Sequence, residues 1–221
     1  MESIAEIEKE DAARRALQLV KSGMTIGLGS GTTSEIFIKM LGQRAHEERL
    51  KVRCIATSVR SEKVAKSVGL NVVEPREIGA IDIAFDGADY VGNGFLIKGL
   101  GGALTREKII AYWARKFVVM VDSSKLKYRN ILPVEVLPFA ASFLLRRLGE
   151  YGEPHVRTYK NKAALTDNKN IIVDVCLRRK PTSSSAKILE KELNSIPGVV
   201  ENGIFTRKAQ IIVGSAKPKH I

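Results

Sequence analysis

The first half of the chain alternates between two hydrophobic patterns. Apolar residues at helical spacing predict helices at residues 4–22, 32–42, 59–68 and 103–115. Short apolar runs predict strands at residues 24–28, 52–56, 71–74, 81–85 and 117–121. This alternation is typical of an α/β fold with a mostly parallel sheet and helices on both faces. In such folds ligands bind beyond the carboxyl ends of the strands.

The second half has another order of elements. Strands are predicted at residues 133–137, 155–159, 171–177 and 199–205, and helices at residues 139–149 and 183–195. The resulting β-α-β-β-α-β order is that of ferredoxin-like domains. A last apolar run, residues 210–213, is predicted to return to the first sheet. Two domains follow: a Rossmann-like domain of residues 1–129 and 208–221, and a smaller ferredoxin-like α+β domain of residues 130–207.

Composition excludes several classes of protein. Apolar residues make up 44% of the 221 residues, too many for a disordered chain. The sequence has no run of about 18 apolar residues, and its acidic first residues lack the apolar core of a signal peptide. Cys54 and Cys176 are too few for a disulfide framework or a zinc site. These features predict a soluble cytoplasmic protein with no membrane partner.

Charge is unevenly distributed along the chain. With 36 basic and 24 acidic side chains, the net charge is +12. Residues 1–125 carry 19 basic and 16 acidic side chains (+3), whereas residues 126–221 carry 17 and 8 (+9). Such a positive field attracts phosphates, nucleic acid or acidic surfaces, but it also arises from a solvated face without a partner. Because the sequence has no RNP-type aromatic motif and no helix-turn-helix, it predicts no nucleic-acid partner.

A loop rich in glycine and hydroxyl groups follows the first predicted strand. Its residues are Gly29, Ser30, Gly31, Thr32 and Thr33. Glycines let the backbone approach an anion, and a helix N-terminus favours negative charge, so the loop is typical of phosphate binding. A tight turn with a helix cap is the alternative. The spacing departs from the dinucleotide pattern G-x-G-x-x-G, and with only Arg60 to meet a 2′-phosphate, NADP is disfavoured but stays open.

Two carboxylates follow the strand predicted at residues 81–85. Asp86 and Asp89 are three positions apart, with Gly87 between them, at the sheet edge where ligands bind. Repulsion between neighbouring carboxylates favours protonation of one of them, which would make it a proton carrier. An Asp-Gly turn without a chemical role fits the same residues, and this segment alone does not decide between the two interpretations.

A lysine, a glycine-rich turn and a helical carboxylate form the third candidate segment. Lys98 precedes the turn at residues 99–102, and Glu107 lies on the helix predicted at residues 103–115. Lys98 is suited to hold charge that develops on a substrate oxygen, and Glu107 is suited to act as a general base. The alternative is a surface lysine and a charge on a helix face.

Taken together, these segments resemble the ribose-5-phosphate isomerase A family. The resemblance runs from about Lys9 to Val213, and separate motifs occur in the family's order. Besides the three segments above, it rests on residues 122–125 (DSSK), 132–136 (LPVEV) and 196–205 (IPGVVENGIF). It implies an aldose–ketose isomerase of the non-oxidative pentose phosphate pathway, which interconverts D-ribose 5-phosphate and D-ribulose 5-phosphate through an enediolate. No metal or cofactor is implied, and the implied assembly is a cytoplasmic homodimer or homotetramer.

The resemblance also implies roles for individual residues. Glu107 is the implied base, Asp86 assists ring opening, and Asp89 and Lys98 hold hydroxyl and enediolate oxygens. The implied substrate-binding residues are Lys9, Gly29, Ser30, Gly31, Thr32, Thr33, Asp86, Gly87, Asp89, Lys98, Gly99, Gly101, Gly102 and Lys125. A proton next to a carbonyl is weakly acidic, so donors near the oxygen and a positioned carboxylate are what the reaction needs.

Three departures from the family pattern stand out. Tyr90 replaces a common glutamate, Leu100 replaces a middle glycine, and residues 126–131 are fewer than in the family. None of these removes a proposed catalytic group, but Tyr90 raises the question of local hydrogen bonding. We expect Leu100 to have an ordinary φ, because a positive φ would strain leucine.

Functions of other classes compete with the isomerase. A non-catalytic sugar-phosphate sensor would keep the phosphate loop and lose the acid–base groups, so the joint presence of Asp86, Asp89, Lys98 and Glu107 argues against it. Amino-sugar phosphate deaminases and CoA transferases are the nearer enzymatic alternatives. Nucleic-acid binding rests only on the net charge.

Overall fold

The computed structural model describes residues 3–216. Within them the helices are Ile4–Leu17 (α1), Thr32–Glu47 (α2), Val59–Ser67 (α3), Leu104–Trp113 (α4), Ala141–Leu148 (α5) and Ser183–Asn194 (α6). The strands of the first half are Thr25–Leu28 (β1), Arg53–Ala56 (β2), Asn71–Val72 (β3), Ile81–Asp86 (β4), Tyr90–Val91 (β5), Leu96–Ile97 (β6) and Ala114–Val121 (β7). Those of the second half are Ile131–Val136 (β8), Gly152–Val156 (β9), Thr158–Tyr159 (β10), Lys162–Ala163 (β11), Ile171–Leu177 (β12), Val199–Asn202 (β13), Ile204–Phe205 (β14) and Gln210–Val213 (β15).

The chain divides into two compact units. Unit 1 takes in Met1–Ala88, Ile109–Lys125 and Ala209–Ile221, as far as these ranges are described, and unit 2 takes in Asp89–Lys108 and Leu126–Lys208. Residues 89–108, 126–129 and 208, which the sequence-based division placed in the Rossmann-like domain, therefore group with unit 2. That each of the two predicted ranges forms a separate domain stays a prediction. Residues 1–2 and 217–221 of the predicted Rossmann-like domain lie outside the described part of the chain.

Unit 1 is built on a six-stranded sheet with the strand order β15-β7-β4-β1-β2-β3. Every pair of neighbouring strands in it is parallel. The predicted return of the last apolar run is confirmed, because β15 pairs with β7 from Gln210 opposite Val118 to Val213 opposite Val121. Parallel strands put their carboxyl ends at one edge, and the loop after β1 and the end of β4 meet there.

Helices cover both faces of this sheet, as predicted. On one face Ile26 and Leu28 of β1 pack in a core with apolar residues of α1 and α2. On the other face Gly27 leaves room for α4: a Cβ at Gly27 would lie 2.4 Å from Cγ2 of Ile110. Because side chains alternate along a strand, Gly27 faces the side of the sheet opposite to that of Ile26 and Leu28.

Unit 2 contains the predicted ferredoxin-like arrangement. Its four-stranded sheet has the order β13-β8-β12-β9, with antiparallel pairing throughout. With α5 between β8 and β9, and α6 between β12 and β13, the chain order is β-α-β-β-α-β. A three-stranded sheet, β14-β6-β5, and the β10-β11 hairpin complete the unit.

Local differences from the prediction have physical causes. The first helix ends at Leu17 and not at residue 22, because the amides of Leu19 and Val20 bond three residues back, to Ala16 and Leu17. Val20 is still buried, so the apolar pattern continues past the helix end. The short strands β5 and β6 were not predicted, since two residues are too few to show an alternation.

Candidate active site

In unit 1 the loop from β1 to α2 is shaped by two glycines. Gly31 is the N-cap of α2 with a φ of 90°, and no side chain caps the helix. Gly29 has no space for a side chain, because a Cβ there would lie 2.1 Å from Oδ1 of Asp86. Glycine is required at position 31 by the backbone conformation and at position 29 by the close approach of Asp86.

The carboxylate of Asp86 is held by this loop. Asp86 ends β4 and is 2% exposed. Its Oδ1 accepts hydrogen bonds from the N–H groups of Ser30 (3.1 Å) and Gly87 (2.7 Å) and from the hydroxyl of Ser34 (3.3 Å). Phosphate binding by this loop would need amides that point at the anion. The Ser30 amide instead donates to Asp86, and the Gly29 amide donates to the carbonyl of Phe85.

Lys9 and Lys125 of unit 1 lie on two elements that hydrogen bonds join to each other. Glu8 of α1 is buried and accepts hydrogen bonds from both the amide and the hydroxyl of Ser123, each at 2.8 Å. Ser123 opens a short 3-10 helix that carries Lys125. Lys9 follows Glu8 directly, so this contact fixes the backbone that bears each lysine. Both lysines are half-buried.

In unit 2 the structure brings Lys98 and Glu107 together. Lys98 follows β6, Glu107 lies in the first turn of α4, and their side chains are 3% and 5% exposed. The Nζ of Lys98 is 3.4 Å from Oε2 of Glu107 and 5.6 Å from the ring centre of Phe205. A charge that is removed from water needs a partner of opposite charge, and here Lys98 and Glu107 are partners of each other.

The glycine-rich turn connects Lys98 to Asp89. Gly99 and Gly102 have φ values of 103° and 85°, whereas Leu100 is not among the described non-glycine residues with positive φ. This bears out the expectation that leucine is unstrained there. The amide of Leu100 donates to Oδ2 of Asp89 at 2.9 Å, and the amide of Asp89 donates to the carbonyl of Ile97 at 2.9 Å. Asp89 is thereby fixed to the turn.

Tyr90 is a core residue of unit 2. It is 3% exposed, and its ring lies 5.8 Å from that of Phe95 and 5.2 Å from that of Tyr128. Nζ of Lys180 lies 5.2 Å from the Tyr90 ring centre and 5.5 Å from that of Tyr128. Burial is the main reason why the pKa of the Tyr128 phenol is raised. The departure from the family pattern is thus accommodated by aromatic packing.

Sequence reasoning missed other polar residues around α4. Lys108 pairs with Glu201 at 2.8 Å and Glu190 at 3.1 Å. Glu135, with no exposed surface, accepts a hydrogen bond from the hydroxyl of Thr105 at 2.6 Å. It also accepts bonds from Thr166, Asn168 and Asn170. These partners are 30 to 93 residues apart in the chain, so no local spacing could have found them.

Residues 3–216 contain neither a candidate metal cluster nor a candidate membrane span. No group of three or more His, Cys, Asp and Glu side chains is arranged to hold a metal ion. No helix in this part of the chain is long and apolar enough to cross a membrane. The expectation of a reaction without metal or cofactor stays a prediction.

Asp86 and Glu107 are buried carboxylates, and Lys98 is a buried cation, in a chain with a parallel sheet and a ferredoxin-like unit. These features define the class of α/β proteins that are equipped for acid–base chemistry. The family model of ribose 5-phosphate isomerase A (phosphoriboisomerase A) matches residues 53–218. The chain belongs to this family.

Relatives match nearly the whole chain. Ribose-5-phosphate isomerase A of Methanocaldococcus jannaschii is 45% identical over 218 residues, which cover 95% of this chain and 94% of the relative. The solved structure of that protein superposes with a TM-score of 0.88 and covers 94% of each chain. A D-ribose-5-phosphate isomerase solved in complex with phospho-erythronic acid is 37% identical, with a TM-score of 0.90 and 96% of each chain covered.

Proposed function

We propose that this chain interconverts D-ribose 5-phosphate and D-ribulose 5-phosphate by proton transfer through an enediolate. The observation that carries the proposal is the buried pair of Lys98 and Glu107, 3.4 Å apart, in a member of this family. A solved relative binds phospho-erythronic acid. The carboxylate of that acid has two oxygens on one carbon, and an enediolate has one on each of two neighbouring carbons, so a similar set of donors suits both.

Glu107 moves the proton between carbon atoms. Its carboxylate takes the proton from C2 of the open-chain aldose, and the electron pair of the C–H bond forms the enediolate. The resulting carboxylic acid returns the proton to C1, and a proton passes from O2 to O1 to complete the ketose. A positioned base contributes about 10²–10⁴-fold to such a step. Lys98 holds the negative charge that develops on oxygen, which is worth about 3–4 kcal/mol per donor.

The remaining residues bind the substrate or open the sugar ring. Asp86 assists ring opening, and Asp89 holds sugar hydroxyls. The other proposed binding residues are Lys9, Gly29, Ser30, Gly31, Thr32, Thr33, Gly87, Gly99, Gly101, Gly102 and Lys125. The phosphate is remote from the reacting carbons, so its binding energy orients the sugar and supports turnover as well as affinity.

The test is an isomerase assay in the presence of a chelator. Purified protein should form ribulose 5-phosphate from ribose 5-phosphate without added metal or nucleotide, and in D₂O the product should carry deuterium at C1. Glu107→Gln should lower kcat by about 10²–10⁴-fold with substrate binding retained. Glu190→Gln is the matched control, because it also removes a carboxylate from a buried lysine pair but has no proposed role.

A sugar-phosphate sensor is the competing function, and the same assay separates it. A sensor would bind ribose 5-phosphate without forming product, and a folded protein with no turnover would overturn the isomerase. Near-normal turnover of Glu107→Gln would refute the assigned base alone. A cytoplasmic location and assembly as a homodimer or homotetramer belong to this proposal and stay predictions.

A further inference from the structure

Arg157 occupies an unusual position in unit 2. It lies between β9 and β10, and its side chain is 18% exposed. Nε and Nη2 of its guanidinium both donate to the carboxylate of Asp174 on β12. Such a two-bond arginine–carboxylate pair fixes the plane of the guanidinium as well as its position.

The third nitrogen of this guanidinium binds the glycine-rich turn. Nη1 donates to the carbonyl oxygens of Gly99 and Leu100, each at 3.0 Å. These are the two residues that follow Lys98, and they are 58 and 57 positions from Arg157 in the chain, respectively. The Asp174–Arg157 pair therefore holds two consecutive peptide groups of the turn.

Holding a carbonyl also fixes the N–H of the next residue. A peptide group is planar and trans, so its C=O and N–H point in opposite directions. The peptide whose carbonyl binds Arg157 at Gly99 carries the N–H of Leu100, and that N–H donates to Asp89 at 2.9 Å. By the same geometry, the Gly101 N–H points away from the guanidinium.

We infer that Arg157, oriented by Asp174, is a positioning residue for the reaction. It sets the peptide planes of the turn after Lys98 and, through the Leu100 amide, the orientation of the Asp89 carboxylate. This inference rests on the proposed function. Small displacements of positioned groups lower turnover, and a shift of about 1 Å can cost on the order of 10²-fold.

The chain contains a matched control for this role. The guanidinium of Arg178 also donates to two consecutive carbonyls, those of Gly149 (2.8 Å) and Glu150 (3.0 Å), at the end of α5. Its contacts are of the same chemical kind but involve no proposed site residue. Arg157→Met and Arg178→Met therefore each remove two bonds to consecutive carbonyls. Arg157→Met also removes the pair with Asp174, which the variant Asp174→Asn tests separately.

The experiment measures kcat, KM and the unfolding midpoint of both variants. Arg157→Met should lower kcat by about 10–100-fold, whereas Arg178→Met should leave kcat within about twofold of the original. Asp174→Asn keeps the arginine but weakens its orientation, so its effect on kcat should have the same sign and be smaller. This milder variant keeps the test valid if Arg157→Met fails to fold.

A double-variant cycle tests the path through Asp89. If Arg157 acts by way of the Leu100 amide, then adding Arg157→Met to Asp89→Asn should lower kcat by less than it does in the original chain. Hydrogen exchange supplies a readout that needs no catalysis: the Leu100 amide should exchange faster in Arg157→Met than in Arg178→Met.

The outcomes separate this inference from the proposed function. If the chain isomerises ribose 5-phosphate, but Arg157→Met matches Arg178→Met in kcat and in Leu100 exchange, the inference is overturned and the function stands. A folded chain without isomerase activity overturns both. Lower stability of Arg157→Met with unchanged kcat would show a structural role only, and would also overturn the inference.

Discussion

Two buried carboxylates, one in each unit, are held by different means. Asp86 of unit 1 accepts hydrogen bonds from the Ser30 and Gly87 amides and from the Ser34 hydroxyl. Glu107 of unit 2 lies 3.4 Å from the ammonium of Lys98. In the first case the strand, loop and helix of the fold supply the donors. In the second case the partner is another charged side chain.

The difference teaches that burial alone does not determine how sensitive a carboxylate is to mutation. Amide and hydroxyl donors remain in place when Asp86 changes, and each such bond contributes modestly to stability. Loss of a buried cation or anion, by contrast, leaves the opposite charge in a poorly solvated place. We therefore expect unit 2 to respond to charge removal more strongly than unit 1.

The largest expected effect comes from breaking the Lys98–Glu107 pair. Lys98→Met leaves Glu107 buried without this cation, so the free energy of unfolding should fall by about 3–5 kcal/mol. Turnover of ribose 5-phosphate should fall by about 10²–10³-fold, because charge on the reacting oxygens loses a donor. Urea unfolding and the isomerase assay measure the two effects.

The double variant Lys98→Met/Glu107→Gln separates stability from catalysis. It removes both charges, so we expect it to regain most of the stability lost in Lys98→Met and none of the turnover. Stability losses that simply add up in the double variant would contradict a coupled ion pair and would remove the contrast between the two units.

A smaller effect should come from filling the space beside Asp86. In Gly29→Ala the new Cβ would lie 2.1 Å from Oδ1 and 2.6 Å from Cα of Asp86, so loop or strand must shift. We expect a loss of about 1–3 kcal/mol in the free energy of unfolding. Gly101→Ala is the control for stability, since nothing lies within 4 Å of its added Cβ and its φ is ordinary. Equal losses in both variants would argue against close packing around Asp86.

Asp86→Asn should have a still smaller effect on stability. Asparagine keeps an oxygen that accepts from the Ser30 and Gly87 amides but loses the charge that strengthens those bonds. We expect a loss of about 1–2 kcal/mol, which thermal unfolding can measure against Lys98→Met. A loss as large as that of Lys98→Met would show that charge, and not the neutral donors, dominates in unit 1 as well.

The same contrast explains how much could be predicted from sequence. The place of Asp86 at the ligand-binding edge was predictable because a strand, an Asp-Gly step and a glycine loop are local patterns, and the parallel sheet fixes where their ends lie. Its role, like those of Lys98 and Glu107, was implied only by resemblance to a family. The close approach of Lys98 and Glu107 was not identifiable from spacing alone. Their roles came from resemblance to a family, and their distance came from the structure.

Contacts between distant parts of the chain were beyond sequence reasoning. Arg157 meets the turn at Gly99 only because β9 and β12 pair, which brings Arg157 and Asp174 together. From the sequence, Arg157 could not be distinguished from the other arginines of the basic second half. The bounds of α1 were missed for a related reason, since Val20 packs in the core although the helix has ended.

The smallest expected effect on stability comes from Cys54 of β2, and it reports whether water reaches the core of unit 1. Complete burial raises the pKa of its thiol from 9.0 to about 12. The folded chain therefore keeps the thiol proton at pH values where the unfolded chain loses it. The stability linked to this thiol is fully present below pH 9 and declines as the pH rises from there towards 12. Between pH 7 and pH 9.5 the expected decline is about 0.8 kcal/mol.

Comparison with Cys54→Ala isolates this decline from other titrations. The alanine variant has no thiol at this position, so the stability advantage of the original chain over it should shrink by about 0.8 kcal/mol between pH 7 and pH 9.5. Urea unfolding at both pH values gives the four free energies needed. A constant advantage would mean that the folded thiol ionises as easily as the unfolded one. Water would then reach the thiol of Cys54, and the core of unit 1 around this residue would be less dry than its burial indicates.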